Sequence, residues 1–208
     1  MSNLYNEAHR NLQDEFGTRR MADRIEQLAF SPVVGEKEKA FIESRDMFFL
    51  STVDADGCPT VSYKGGDPGF IRVVDESTVI FPSYDGNGMF LSLGNIASRG
   101  EVGLLFIDFE KPNRLRLQGS AVVSRDPELL AHYQEVDRVV KITVRAVFPN
   151  CPRYVHRYQK VKPSRYVPRE NCDTPLATWK RTDEIQDFLP ERDAKKVSAA
   201  GGTLPTEE

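Results

Sequence analysis

From Met47 to Ser83 the hydrophobic period of this chain falls to two, in short runs separated by turn residues: "MFFLSTV", the turn "DADG", "PTVSYK", "GGDPG", "FIRVV", "DES" and "TVIFPS". Runs of roughly four to eight residues punctuated by glycine, proline and aspartate specify antiparallel strands. "EVGLLFIDF", the turn "EKPN" and "RLRLQGSAVVS" predict two further strands that pair, and "KITVRAVFP" predicts the last. Between them a helix is expected over 88–98, with Met89, Leu93 and Ile96 on one side. Ahead of the strands, Leu4, Ala8 and Leu12 share a helical face. Met21, Ile25 and Leu28 repeat that spacing after Gly17, and "EKEKAFIESRD" makes a third short helix. "DPELLAHYQEV" carries an N-capping Asp126 and Pro127 at the first helical position. Six or seven strands with one inserted helix and covering helices read as an α+β domain around a small closed or nearly closed β-barrel. A barrel of this size fills its interior with side chains, so a sizeable ligand must sit outside it or between two copies.

The 208 residues suit one domain with appended segments, and a 39% hydrophobic fraction suffices for a core. A formal charge of -3 excludes a surface built wholly for nucleic acid or anionic membrane. No apolar run approaches the roughly 20 residues that span a bilayer, and "MSNLYNEAHRNLQDEFGTRR" alternates charge where a signal peptide is apolar. A soluble cytoplasmic protein without membrane contact is expected. Cys58, Cys151 and Cys172 are far apart and form no CxxC pair, so each reads as a buried or half-buried free thiol. The expected organisation is 1–45 as helices packing on the barrel, 46–160 as the barrel, 161–190 as a C-terminal extension with a short helix in "TDEIQDFL", and 191–208 as a disordered tail.

His9, His132 and His156 offer no base near a nucleophile, and Cys151 with His156 lacks the second ligand pair a metal site needs; no metal is expected. A distributed pattern is stronger. Ser62 and Lys64 share one face of a strand that ends in the turn "GGDPG", placing a hydroxyl and an ammonium side by side. Arg114 and Arg116 share a face opposite Leu115 and Leu117. They form either a solvated outer face or one side of an anion site. In "FPSYDGNGMFLSLGNI", Gly86 and Gly88 permit positive φ, so backbone amides can converge at a helix start; Ser92 and Asn95 lie one turn apart on that helix. A simple strand-to-helix turn reads equally well there.

Taken as a set, "FLSTVDADGCPTVSYKGGDPGF", "VIFPSYDGNGMFLSLGNI" and "EVGLLFIDFEKPNRLRLQGSA" resemble the pyridoxamine 5'-phosphate oxidase-like FMN-binding split-barrel flavoproteins. The helical lead and "VFPNCPRYVH" extend the resemblance to about residue 160. It implies a six-stranded antiparallel split β-barrel with flanking helices, a homodimer, and FMN in the clefts between subunits. On that resemblance Ser62, Tyr63 and Lys64 run along the flavin, Phe81 and Pro82 contact its ring or ribityl chain, and Arg114 makes a polar flavin contact. Lys64 falls where the family places a substrate-binding lysine and is the candidate catalytic residue. Asn150 and Cys151 complete the site from the partner. Where the oxidase has adjacent Arg and Lys for the FMN phosphate, this chain has Gly88 and Met89. The phosphate then depends on amides around Asn87 and Gly88, on Ser92, and on a cation from Lys64, Arg114 or Arg116. The C-terminal region lacks the arginine- and histidine-rich end that recognises pyridoxal phosphate, so the resemblance implies an FMN-dependent oxidoreductase acting on another, unidentified small molecule or redox partner. A non-catalytic flavin or electron-transfer module is the alternative. A nucleic-acid surface in "CPRYVHRYQKVKPSRYVPRE" is a third reading, opposed by the net charge.

Overall fold

The structure is a computed structural model that describes residues 4–204. It divides into two compact units, one ending at Val161 and one beginning at Lys162. The first contains α1 (Glu7–Glu15), α2 (Arg19–Ala29), α3 (Glu36–Glu43), β1 (Met47–Val53), β2 (Pro59–Gly65), β3 (Arg72–Asp75) and β4 (Thr78–Pro82). It continues with α4 (Leu91–Ser98), β5 (Glu101–Asp108), β6 (Asn113–Ser124), α5 (Pro127–Leu130) and β7 (Val139–Asn150). All strand pairs are antiparallel, in the order β2-β1-β5-β6-β7-β4-β3. The expectation of six strands is therefore corrected to seven. The ladder does not close on itself: β2 and β3 are its two ends, and the four-residue β3 is bonded to β4 alone.

Hydrophobic contact curls this open ladder. Phe48 on β1 and Phe81 on β4 are separated in the order by β5, β6 and β7, yet their rings meet edge to face at 5.1 Å. Phe70 and Phe106 flank Phe48 at 5.8 and 5.5 Å, and Phe48 and Phe106 are completely buried. Burying each such ring contributes roughly 1.5–3 kcal/mol, and edge-to-face pairs add to that. Leu50, Leu104, Leu117 and Ile142 extend the same interior, each supplied by the inward positions of an alternating strand.

One irregularity resets that alternation. Between β6 and β7, Gln118 pairs with Ala146 but Gly119 pairs with Val144, so Arg145 is the extra residue of a β-bulge. Beyond the bulge Val147 faces the core, and Ala146, Phe148 and Asn150 lie opposite Gln118, Arg116 and Arg114. Gly119 is required at this crossing. A Cβ there would sit 2.2 Å from the Thr143 carbonyl oxygen, a backbone atom that has no rotamer through which to retreat.

Several local features differ from expectation for identifiable reasons. The inserted helix starts at Leu91 rather than Gly88, because Gly88 (φ +79) and Phe90 (φ +51) are left-handed. After one turn α5 gives way to a loop in which the Tyr133 hydroxyl donates to the Ile80 carbonyl, 3.3 Å away. Neither α1 nor α2 contains a buried residue; Leu12, Met21, Ile25 and Leu28 are exposed. The chain leaving α2 is anchored by paired backbone hydrogen bonds between Ser31 and Val147. All three cysteines are exposed, not buried. In the second unit, "TDEIQDFL" forms a 3-10 helix over Asp183–Phe188. Residues expected to begin a disordered tail form helix α6 (Glu191–Ala199), held by a buried ion pair between Lys180 and Asp193 at 2.8 Å. Among the described residues no helix is long and apolar enough to cross a membrane.

Replacing Gly119 with alanine is expected to destabilise the protein by about 1–3 kcal/mol, as forced overpacking does. Gly103→Ala, whose Cβ would meet nothing closer than Ser51 Cβ at 3.8 Å, should be near neutral by comparison in thermal or urea melts.

Candidate functional site

On β2 the alternation turns Thr60, Ser62 and Lys64 toward α4 and leaves Val61 and Tyr63 exposed on the other side. Ser92, in the first turn of α4, is the point where they meet: its hydroxyl lies 3.1 Å from that of Ser62 and accepts from Lys64 Nζ at 3.2 Å. Burial lowers the Lys64 pKa below the ordinary lysine value, and among the described residues no carboxylate pairs with it. The N-terminus of α4 opens at the same place. Phe90, the capping position, provides no side-chain acceptor for the first-turn amides. A half-buried cation, two hydroxyls and unsatisfied helix amides thus converge in one cleft, an arrangement suited to an anion.

The cleft has two lobes of about 290 Å³ each, which share Tyr63, Lys64, Ser83, Tyr84, Gly86, Ser92 and Leu93 as walls. One lobe runs to Phe81 and Pro82 at the end of β4, over Leu50 and Phe70; the other lies along Asn87, Gly88, Met89 and Phe90. The Asn87 side-chain oxygen accepts from the Met89 amide at 3.1 Å, which fixes the loop before the left-handed Phe90. The curl of the sheet is what brings the β2 edge and the end of β4 to one opening.

The sequence-predicted residues fall into two groups. Ser62, Tyr63, Lys64, Phe81, Pro82, Asn87, Gly88 and Ser92 line this cleft. Asn95 sits behind it: its amide donates to the hydroxyls of Thr52 and Thr60 at 3.0 and 3.3 Å, and those hydroxyls are 2.8 Å apart, so it fastens α4 to β1 and β2. Arg114, Arg116 and Asn150 stand elsewhere, on the outer face of β6 and β7, and the exposed Cys151 follows β7. Arg114 and Asn150 are cross-strand neighbours, and each holds a buried polar atom, Nε and Oδ1, without a partner. Ser83, Tyr84, Thr52 and Thr60 escaped sequence reasoning. Thr52 and Thr60 had a readable signal, being the same-face hydroxyls of paired strands.

In the basic aromatic segment, Tyr158 packs on Phe109 at 5.3 Å and Lys160 pairs with Asp46 at 2.7 Å.

The family model for pyridoxamine 5'-phosphate oxidase matches residues 34–166, and the chain belongs to that family. Among solved structures, HupZ of Group A Streptococcus is 21% identical (TM-score 0.46, over 56% of this chain and 93% of that one). A protein of Lactobacillus delbrueckii described as a candidate pyridoxamine 5'-phosphate oxidase is 25% identical (TM-score 0.46, 57% and 95%). An FMN-binding protein of Syntrophomonas wolfei is 13% identical (TM-score 0.43, 67% and 97%). No curated protein matches.

The electrostatics of Lys64 are testable without any ligand. Its folded pKa lies below the unfolded value of 10.5, so the unfolded chain binds more protons between the two values and stability rises with pH through that window. Lys64→Met should therefore melt at a higher temperature than the parent at neutral pH, and the difference should shrink as pH approaches the ordinary lysine value. A difference that is constant with pH would count against a desolvated ammonium.

Proposed function

We propose that the cleft between β2, β4 and α4 binds FMN and that the protein is an FMN-dependent oxidoreductase working as a homodimer. The observation that carries this reading is the half-buried Lys64, without a carboxylate partner, sharing the Ser92 hydroxyl with Ser62 at an uncapped helix start. These residues fit a phosphorylated flavin. The amides of the turn over 87–91 and Ser92 would hold the phosphate in place of the basic pair that Gly88 and Met89 replace, and Phe81 and Pro82 offer an apolar edge to the ring. The curled, unclosed sheet is consistent with the split barrel of the family, whose flavin lies between subunits. A second copy would then bring Arg114 and Cys151 to the cleft; the buried, unpartnered Arg114 Nε favours such a contact.

When bound, a flavin supplies hydride-accepting and hydride-donating chemistry, and the protein supplies position and charge. Lys64 would hold positive charge against the flavin or orient an anionic substrate. Its lowered proton affinity would be reversed by an anion beside it. The Thr52–Thr60–Asn95 network keeps α4, and with it Ser92, at a fixed distance from β2.

The test is to load the purified chain with FMN, remove the excess by gel filtration and record the flavin absorbance and the mass by light scattering. Retained flavin on a dimer is expected, with affinity falling by about tenfold or more in Lys64→Ala and Ser92→Ala, the scale of one charge-assisted contact. Reduction of the bound flavin by a nicotinamide donor and its reoxidation by an added acceptor would separate an oxidoreductase from a carrier. If all FMN passes into the wash, the cofactor assignment fails.

A further inference from the structure

A cavity of about 740 Å³ lies apart from the Lys64 cleft. It lies on the outer face of β6 and β7, beneath α1 and α2. Those helices bury none of their residues, so they roof a space instead of packing down on the sheet. The floor is built by the bulge at Arg145, which brings Phe148 and Asn150 to the same face as Arg116 and Gln118. Phe30, just past α2, stacks on Phe148 with ring centroids 6.3 Å apart, and Ile25 and Ala29 continue the apolar wall.

The polar groups around this space are unbalanced. Arg145 donates to the Gln118 side-chain oxygen at 3.1 Å, and Arg116 has no hydrogen-bond or ion-pair partner among the described residues. Glu26 is the one acidic residue on the wall, set against the two arginines, so the lining carries a net positive charge. Asn150 Oδ1 is buried and accepts nothing, and a buried acceptor in that state is destabilising until a donor reaches it.

The geometry points to a second binding site here, for an amphipathic organic anion. Its carboxylate, sulfonate or phosphate meets Arg116 and Arg145, its flat apolar body lies along Phe30 and Phe148, and an N–H or O–H on it donates to Asn150 Oδ1. A planar fork suits guanidinium recognition of such anions, and the volume is in the range of small-molecule pockets. This assignment uses none of the residues that line the Lys64 cleft, and it takes Arg116 and Asn150, which the family resemblance offers to the flavin, for a different ligand.

Isothermal titration calorimetry of the full chain, saturated with FMN, against 8-anilinonaphthalene-1-sulfonate tests it. This probe combines a sulfonate, fused aromatic rings and an amine N–H. One equivalent per chain is expected, weakened by about tenfold or more in the Arg116→Ala/Arg145→Ala variant and also in Asn150→Ala, while Lys64→Ala binds the probe normally. The neutral N-phenyl-1-naphthylamine, followed by its fluorescence, should not respond to the arginine changes. Circular dichroism melts of each variant establish that the fold is retained. The proposal is overturned if the probe binds equally to the arginine variant, if FMN displaces it, or if it fails to bind. It is also overturned if loss of the arginines changes the oligomeric mass and leaves probe binding intact, because a second copy then fills the cavity.

Discussion

The contact between Phe48 and Phe81 joins two strands that share no hydrogen bond, and the rest of the molecule is arranged around it. Backbone pairing alone would leave a twisted ribbon with β2 and β3 at opposite ends. The aromatic interior draws the ribbon into a curl, because Phe48 must be enclosed from several sides to be removed from water and neighbouring strands in one layer cannot do that. Closure stops short of hydrogen bonding at the seam. The seam is where β2 faces the end of β4 and α4, and there the interior gives way to hydroxyls and an ammonium.

That placement explains why the cleft can dispense with a basic loop. In "DGNGMF" the Asn87 turn and the left-handed backbone at Gly88 and Phe90 consume the residues that would otherwise extend α4, so the helix begins late and uncapped. Positive potential is provided by the helix start and by Lys64 from a neighbouring element, with Ser92 linking the two. Thr52 is 1% exposed and would be costly without partners; it is satisfied by Thr60 and Asn95, which makes the position of α4 a consequence of core polarity as well as of packing.

Much of this was legible in the residues. β1 spans the run "MFFLSTV" and β2 the run "PTVSYK" with one residue added, since strict alternation between turn signals leaves little freedom. The same alternation correctly set Ser62 beside Lys64, and Leu115 and Leu117 inside with Arg114 and Arg116 outside. What stayed hidden depends on partners distant in sequence. Asn95 looked available for a ligand because nothing local indicated Thr52 and Thr60, some forty residues earlier in the chain. Helix α6 was missed because its polar composition resembles a tail, and the buried Asp193 that ties it to Lys180 cannot be recognised without its partner. Counting by twos along "KITVRAVFPN" puts Phe148 on the inner face with Ile142, whereas the bulge turns it out.

The bulge at Arg145 acts on β7 as a frame shift acts on a reading frame. Every position after it exchanges inside for outside, although no residue type there is unusual. The strand's second half therefore responds differently to two kinds of variation. Substitutions at Phe148 or Asn150 alter the surface under α1 and α2 and leave the interior alone, whereas straightening the bulge with every residue retained would drive Phe148 and Asn150 inward and push Val147 out. Relatives could thus diversify this face by point changes over long times, provided that the bulge in β7 and the glycine opposite it are kept.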